Sequence, residues 1–116
     1  MTNKKLLGNW GEDQALKYLL NRDYQLVARN WRHKRQELDL LVVTPRLLIA
    51  VEVKTRRSPL ADNQPLLSLA QITRLRRALK SFCCLHNYPY QKTRLDLITI
   101  IANSKHSFNL NHYQDL

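Results

Sequence analysis

Gln36–Thr55 reads QELDLLVVTPRLLIAVEVKT. Two β-rich runs, Gln36 to Thr44 (QELDLLVVT) and Leu47 to Thr55 (LLIAVEVKT), are separated only by Pro45-Arg46. A short proline link between runs of branched apolar residues predicts an antiparallel hairpin, the centre of a sheet. Between Tyr24 and Ala61 the only acids are Glu37, Asp39 and Glu52, all inside these predicted strands. Carboxylates are rarely set among Leu, Val and Ile without a partner. Alternate strand residues share a face, so Glu37 projects with Asp39, and Glu52 with Lys54. The hairpin then brings Asp39 opposite the Glu52–Lys54 segment.

Upstream of the hairpin, Asn3 is a plausible helix N-cap. From it Leu7, Trp10, Ala15, Tyr18 and Leu19 recur at helical spacing as far as the turn Asn21-Arg22-Asp23. Tyr24 to Trp31 has mixed periodicity but follows a turn with an apolar start, and reads as a strand. The basic tract Arg32-His33-Lys34-Arg35 reads as a loop. Downstream, Arg56 to Pro65 has two prolines and no period, which predicts a loop able to close over a substrate as a lid. Leu69, Ile72, Leu75, Leu79, Phe82 and His86 fall on one stripe of a second helix whose other side carries Arg74, Arg76, Arg77, Lys80 and Ser81. Thr93 to Ala102 is a further strand, and the polar tail from Asn103 has no assignment. The expected order is helix, three strands, helix, strand, an α/β fold with a small mixed sheet flanked by helices.

With 116 residues and 13.7 kDa the chain suits a single domain spanning residues 1–116. Nineteen Lys and Arg against nine Asp and Glu give a formal charge of +10, so polyanions are the natural partners. No apolar run approaches the ~20 residues of a membrane span, and the N-terminus turns polar too early for a signal peptide. A cytoplasmic protein with no membrane partner is expected. Cys83 and Cys84 are adjacent, which suits helix-packing thiols rather than a disulfide or a zinc knuckle. The four histidines show no metal-ligand spacing, with His86 read as a packing residue and the others as surface positions.

Two carboxylates a few ångström apart repel, and a divalent cation with oxygen ligands, Mg²⁺ or Mn²⁺, relieves that most simply. A lysine beside them cannot ligate the metal but can stabilise charge on a phosphate. The rival reading of the same residues is structural: Glu52 and Lys54 pair laterally and Asp39 pairs with an arginine. Spacing alone leaves both open. Glu37 is read as pairing with Arg56 or another base, or as an acid supporting the site. Arg94 and Asp96, two apart on a strand, are read as a structural pair. Trp10, Tyr18 and Trp31 fit packing better than a base-stacking platform.

Four stretches together, GEDQALKYLL (Gly11–Leu20), NWRHKRQELDLLVV (Asn30–Val43), LIAVEVKTR (Leu48–Arg56) and RLDLITI (Arg94–Ile100), make the chain resemble the YraN-like (UPF0102) family of small bacterial proteins. That family is read as part of the restriction-endonuclease-like PD-(D/E)xK superfamily, similar to archaeal Holliday-junction resolvases. The resemblance covers about Leu7 to Ala102. It implies a restriction-endonuclease-like fold and a metal-dependent endonuclease acting on DNA, branched or damaged DNA included. Its relatives of the resolvase type act as dimers, which points to a homodimer. By resemblance Asp39, Glu52 and Lys54 are the catalytic set, and Glu12, from the first helix, joins Asp39 and Glu52 as metal ligands. Glu12 also shares a helix stripe with Leu16 and Leu19, which can lay it over the sheet edge. Lys34, Arg35, Arg56, Arg57, Arg74 and Arg77 flank these elements and are the expected phosphate contacts. Three departures stand out: Gln36 replaces the usual glycine before Glu-x-Asp, Gln71 replaces a helix lysine, and SPLADNQP replaces a glycine-rich turn. Gln71 and Glu37 are candidates for supporting roles. The alternative to an enzyme is a non-catalytic nucleic-acid-binding module on the same fold.

Overall fold

The computed structural model describes residues 3–57, 67–104 and 106–116. The hairpin forms as expected: β2 (Gln36–Val43) and β3 (Leu48–Arg56) run antiparallel, paired from Val43↔Leu48 to Leu40↔Val51. Thr44 Oγ1 accepts from the amides of Arg46 and Leu47 and holds the turn. The other strands are β1 (Gln25–His33), β4 (Thr93–Ala102) and β5 (Phe108–Tyr113), and the sheet order is β1-β2-β3-β4-β5. Only β3 and β4 are parallel. A parallel pair needs a crossover, and α2 (Leu69–Leu85) supplies it. The expected order therefore needs one correction, a fifth strand after β4. In the tail, Phe108 and Leu110 face inward onto the core between exposed Asn109 and Asn111.

Strand alternation assigns the two faces. Leu41, Leu48, Ala50 and Leu95 pack under α2 with its Leu75, Ala78, Leu79, Phe82 and Cys83. Leu40, Val42, Ile49, Val51, Ile98 and Ile100 pack under α1 (Lys4–Leu20) with Ala15 and Leu19. The result is three layers, helix on sheet on helix. Asn3 caps α1, its Oδ1 accepting from Leu6 N–H at 2.8 Å, and Ser68 with Gln71 forms a capping box on α2. The α2 stripe is shorter than expected, because Leu69 and His86 at its ends are exposed, although the His86 ring stacks on Phe82. Cys83 is buried as expected, whereas Cys84 is exposed.

Helix α1 buries Leu7, Gly11, Ala15 and Leu19, every fourth residue. Gly11 rests directly on β3: a Cβ there would lie 2.8 Å from Thr55 Cβ, too close for any side chain. Among the described residues Thr55 Oγ1 has no hydrogen-bond partner, since the bare glycine covers it.

The basic tract is a tight turn rather than an open loop. β1 runs to His33 and β2 starts at Gln36, leaving Lys34, at φ 56°, and Arg35 between them. β1 itself is irregular. Its register against β2 shifts between Leu26 and Ala28, and Asn30 takes a positive φ of 53° between the pairs Arg29↔Leu40 and Trp31↔Leu38. Alternation on β2 changes at the same level, so Leu38 joins Leu41 in the core under α2 although the two are three residues apart. The expected lid falls largely on residues 58–66, outside the described residues. No described helix is long and apolar enough to cross a membrane.

Candidate functional site

Asp39 stands where the sheet opens. The β2–β3 ladder ends at Leu40↔Val51, and the next free amide on β3, Val53 N–H, donates to Asp39 Oδ2 at 3.0 Å. A side chain thus takes over a backbone pairing, and the carboxylate is held between the strands. Glu52 follows the parity of Leu48 and Ala50 and faces the α2 side, next to the Asp39 carboxylate. Its side chain is 17% exposed. Burial first, and then the neighbouring Asp39, push the Glu52 carboxyl up to about 8. Lys54 Nζ, two residues on and 3.6 Å from Glu52 Oε2, offsets only part of this.

Glu12 approaches from the opposite face of the sheet. It is the residue after Gly11, so the close seating of α1 on β3 delivers it to the opening. Arg29 Nε lies 3.2 Å from Glu12 Oε1, and Arg29 also bonds Asp13 and the carbonyl of Asn9. Asn30, at its positive φ, stands close enough to Glu12 to favour its charged form. Burial and then the charge of Asp39 still hold the Glu12 carboxyl above its usual range, against the pull of Arg29. The opening thus collects three acids: Asp39 with Glu52 in direct contact, and Glu12 within electrostatic reach. Among the described residues no three His, Cys, Asp or Glu side chains stand at the spacing of a closed metal shell.

On the α2 side the acids open into a cleft of about 360 Å³ lined by Asp39, Glu52, Glu37, Gln36, Gln71 and Leu75 with Arg35, Arg74 and Arg77. Carboxylates at the base and guanidiniums around them set negative and positive charge side by side in one cleft. Of the expected phosphate contacts, Arg35, Arg74 and Arg77 line this cleft, whereas Lys34 does not. Arg56 and Arg57 line a different hollow beside α1. Gln71 reaches the cleft, but its Oε1 accepts from Ser68 N–H in the helix cap. Glu37 pairs with Arg32 at 3.3 Å, across the β1–β2 pair, and not with Arg56.

The structural pair Arg94–Asp96 is the core of a larger group that local spacing does not reveal. Asp96 is fully buried. It accepts from Arg94 Nε and Nη2 at 2.8 and 2.9 Å and from the Asp115 amide at 3.1 Å, and His112 Nε2 lies 2.8 Å away. Tyr18 Oη stands 3.0 Å from His112 Nδ1, and Arg94 also donates to Tyr24 Oη. Burial alone would raise the Asp96 carboxyl, but His112, Arg94 and the Asp115 amide hold it below its usual range. His112, expected at the surface, is instead half-buried, with its side chain 6% exposed. Its signal is the inward alternation Phe108, Leu110, His112. The aromatics pack as expected: Trp10 against Phe108, Trp31 against Phe82, Tyr18 against His112.

Similar sequences match this chain over most of their length. A protein of Paenarthrobacter aurescens (strain TC1) described as a UPF0102 protein is 34% identical over 114 residues, which covers 97% of this chain and 93% of that one. UPF0102 proteins of Corynebacterium glutamicum (strain R) and Prosthecochloris aestuarii are 37% and 34% identical, covering 88% and 83% of this chain and 83% and 76% of theirs. The family model described as "Uncharacterised protein family UPF0102" matches residues 11–100, from the seating glycine of α1 through most of β4. By that match and by these relatives, the chain belongs to the UPF0102 family.

Proposed function

We propose that the Asp39–Glu52 cleft hydrolyses phosphodiester bonds in DNA with the help of a divalent cation. We take the sheet and its two helices as a form of the restriction-endonuclease-like fold of the PD-(D/E)xK superfamily. One observation carries the reading: the Asp39 and Glu52 carboxylates stand side by side at the base of an arginine-lined cleft, with Lys54 beside Glu52. Burying acids together costs stability unless a ligand is meant to relieve them.

The donor set fits a hard cation. Asp39 and Glu52 would hold Mg²⁺ or Mn²⁺, with Glu12 adjacent on the α1 side, and a bound ion of this kind polarises phosphate oxygens and acidifies water. Without it Glu52 keeps a proton at neutral pH, and occupation of the site releases that proton. Arg35, Arg74 and Arg77 hold backbone phosphates over the acids. Lys54 offsets the negative charge that grows on the phosphate as its bond to the leaving oxygen breaks.

Linear, flapped and four-way DNA incubated with Mg²⁺ or Mn²⁺ tests this. Wild type should cut at least one of them and Glu52→Ala none. Binding without cutting would make the site a nucleic-acid-binding module. A folded protein that neither binds nor cuts would leave the acids as structural partners.

A further inference from the structure

A second hollow, of about 520 Å³, lies on the other face of the sheet, between the first turns of α1 and the end of β3. Its walls are Leu7, Val53 and the bare backbone of Gly8. Lys4, Arg56 and Arg57 supply cations, and Glu12 also lines it. The size falls in the range of small-ligand pockets, roughly 300–1,000 Å³. An apolar slot with a cationic rim matches a nucleotide, whose base and sugar fill the slot while its phosphate meets the lysine and arginines. Glu12, which lines this hollow, also feels the charge of Asp39 in the cleft under α2.

We infer that the α1-side hollow holds one unpaired nucleotide of the substrate strand. This rests on the nuclease reading above and deepens it. The two hollows lie on opposite faces of one sheet and share no lining residue, so a straight duplex cannot line both. The strand has to turn over the rim of the sheet at Asp39, and a hollow of this size admits a nucleotide but not a base pair. The protein therefore takes strands that are unpaired beside the cut.

Gly8 permits a clean test. A Cβ at Gly8 meets no atom within 4 Å, so Gly8→Leu extends into the hollow without crowding α1, and leucine favours a helix more than glycine does. The variant should melt at or above the wild-type temperature. In EDTA, it should bind a short fluorescent oligothymidylate about tenfold more weakly than wild type while binding a blunt duplex equally well. Arg74→Ala with Arg77→Ala should weaken both probes. Unchanged oligothymidylate binding by a folded Gly8→Leu overturns the inference, and the nuclease reading then stands or falls on the cleavage screen alone. Failure of wild type to bind oligothymidylate also overturns it.

Discussion

Acids stand at two places within this one sheet, Asp96 fully buried and Asp39 with Glu52 half-buried, and they are solved in opposite ways. Asp96 on β4 is met by a bidentate arginine, a histidine and a backbone amide. Asp39 and Glu52, on β2 and β3, are met chiefly by each other, with one amide and a lysine at 3.6 Å. Burial acts on both. It is answered by complementary donors in the first group, so the carboxyl titrates low, and compounded by a second carboxylate in the other, so Glu52 titrates high. The first arrangement ties α1, the turn before β1, β4, β5 and the segment after it together through Tyr18, Tyr24, Arg94, His112 and Asp115. The second leaves Glu52 without a full set of donors, which is the feature on which the proposed site rests.

Removing a charge should expose this contrast most strongly. Asp96→Ala strands a buried arginine and should cost about 3–5 kcal/mol, a fall of ten degrees or more in Tm. Asp39→Asn or Glu52→Gln in EDTA should leave Tm at or above that of wild type. If Asp39 and Glu52 behave like Asp96, both groups are structural.

Next in size is the response to pH. Unfolded, Glu52 loses its proton near 4.5, whereas folded it keeps it to about pH 8. The folded chain therefore binds the extra proton across this window, and stability in EDTA should fall as pH rises from about 4.5 to 8. Glu52→Gln should flatten that slope. Asp96 has the opposite sign: its folded pKa lies below 3.8, so its contribution is complete above that value and is lost as pH falls through the folded pKa. Urea melts across pH would separate the two limbs.

Two further measurements sharpen the contrast. Mg²⁺ at about a hundred times its Kd should stabilise wild type by roughly 2.7 kcal/mol and give little to Asp39→Asn or Glu52→Gln. Equal gains in all three would place the ion elsewhere. Lys54→Ala should lower cleavage by on the order of 10²-fold with DNA binding retained, and an unaltered rate would remove Lys54 from the mechanism. The smallest effect belongs to a third acid of the same hairpin. Glu37 and Arg32 are exposed by 60% and 72%, so Glu37→Gln should shift stability by no more than about 0.5 kcal/mol.

The elements that could be read from the chain are those whose periodicity is set by the core alone. β2, β3 and β4 alternate or run apolar, and α2 carries a clear stripe. Asp39, Glu52 and Lys54 were legible for the same reason, as charges out of place in apolar strands. β5 was not, because its third inward residue is a histidine whose burial depends on Asp96, sixteen positions away in sequence and beside it only after folding. β1 was blurred by the register shift before Ala28 and the positive φ of Asn30. Helical spacing placed Glu12 on a stripe, but its reach to Asp39 depends on the depth of α1 over β3, which no local pattern encodes.

That depth is set by an absence. With no side chain at Gly11, the helix rests on Thr55 itself, and Glu12, one residue along, inherits its height from that contact. Gly11 works as a shim of zero thickness. Gly11→Ala would change neither charge nor any proposed ligand, yet it would lift Glu12 away from Asp39 and enter an assay as a remote lesion with the signature of a site mutation.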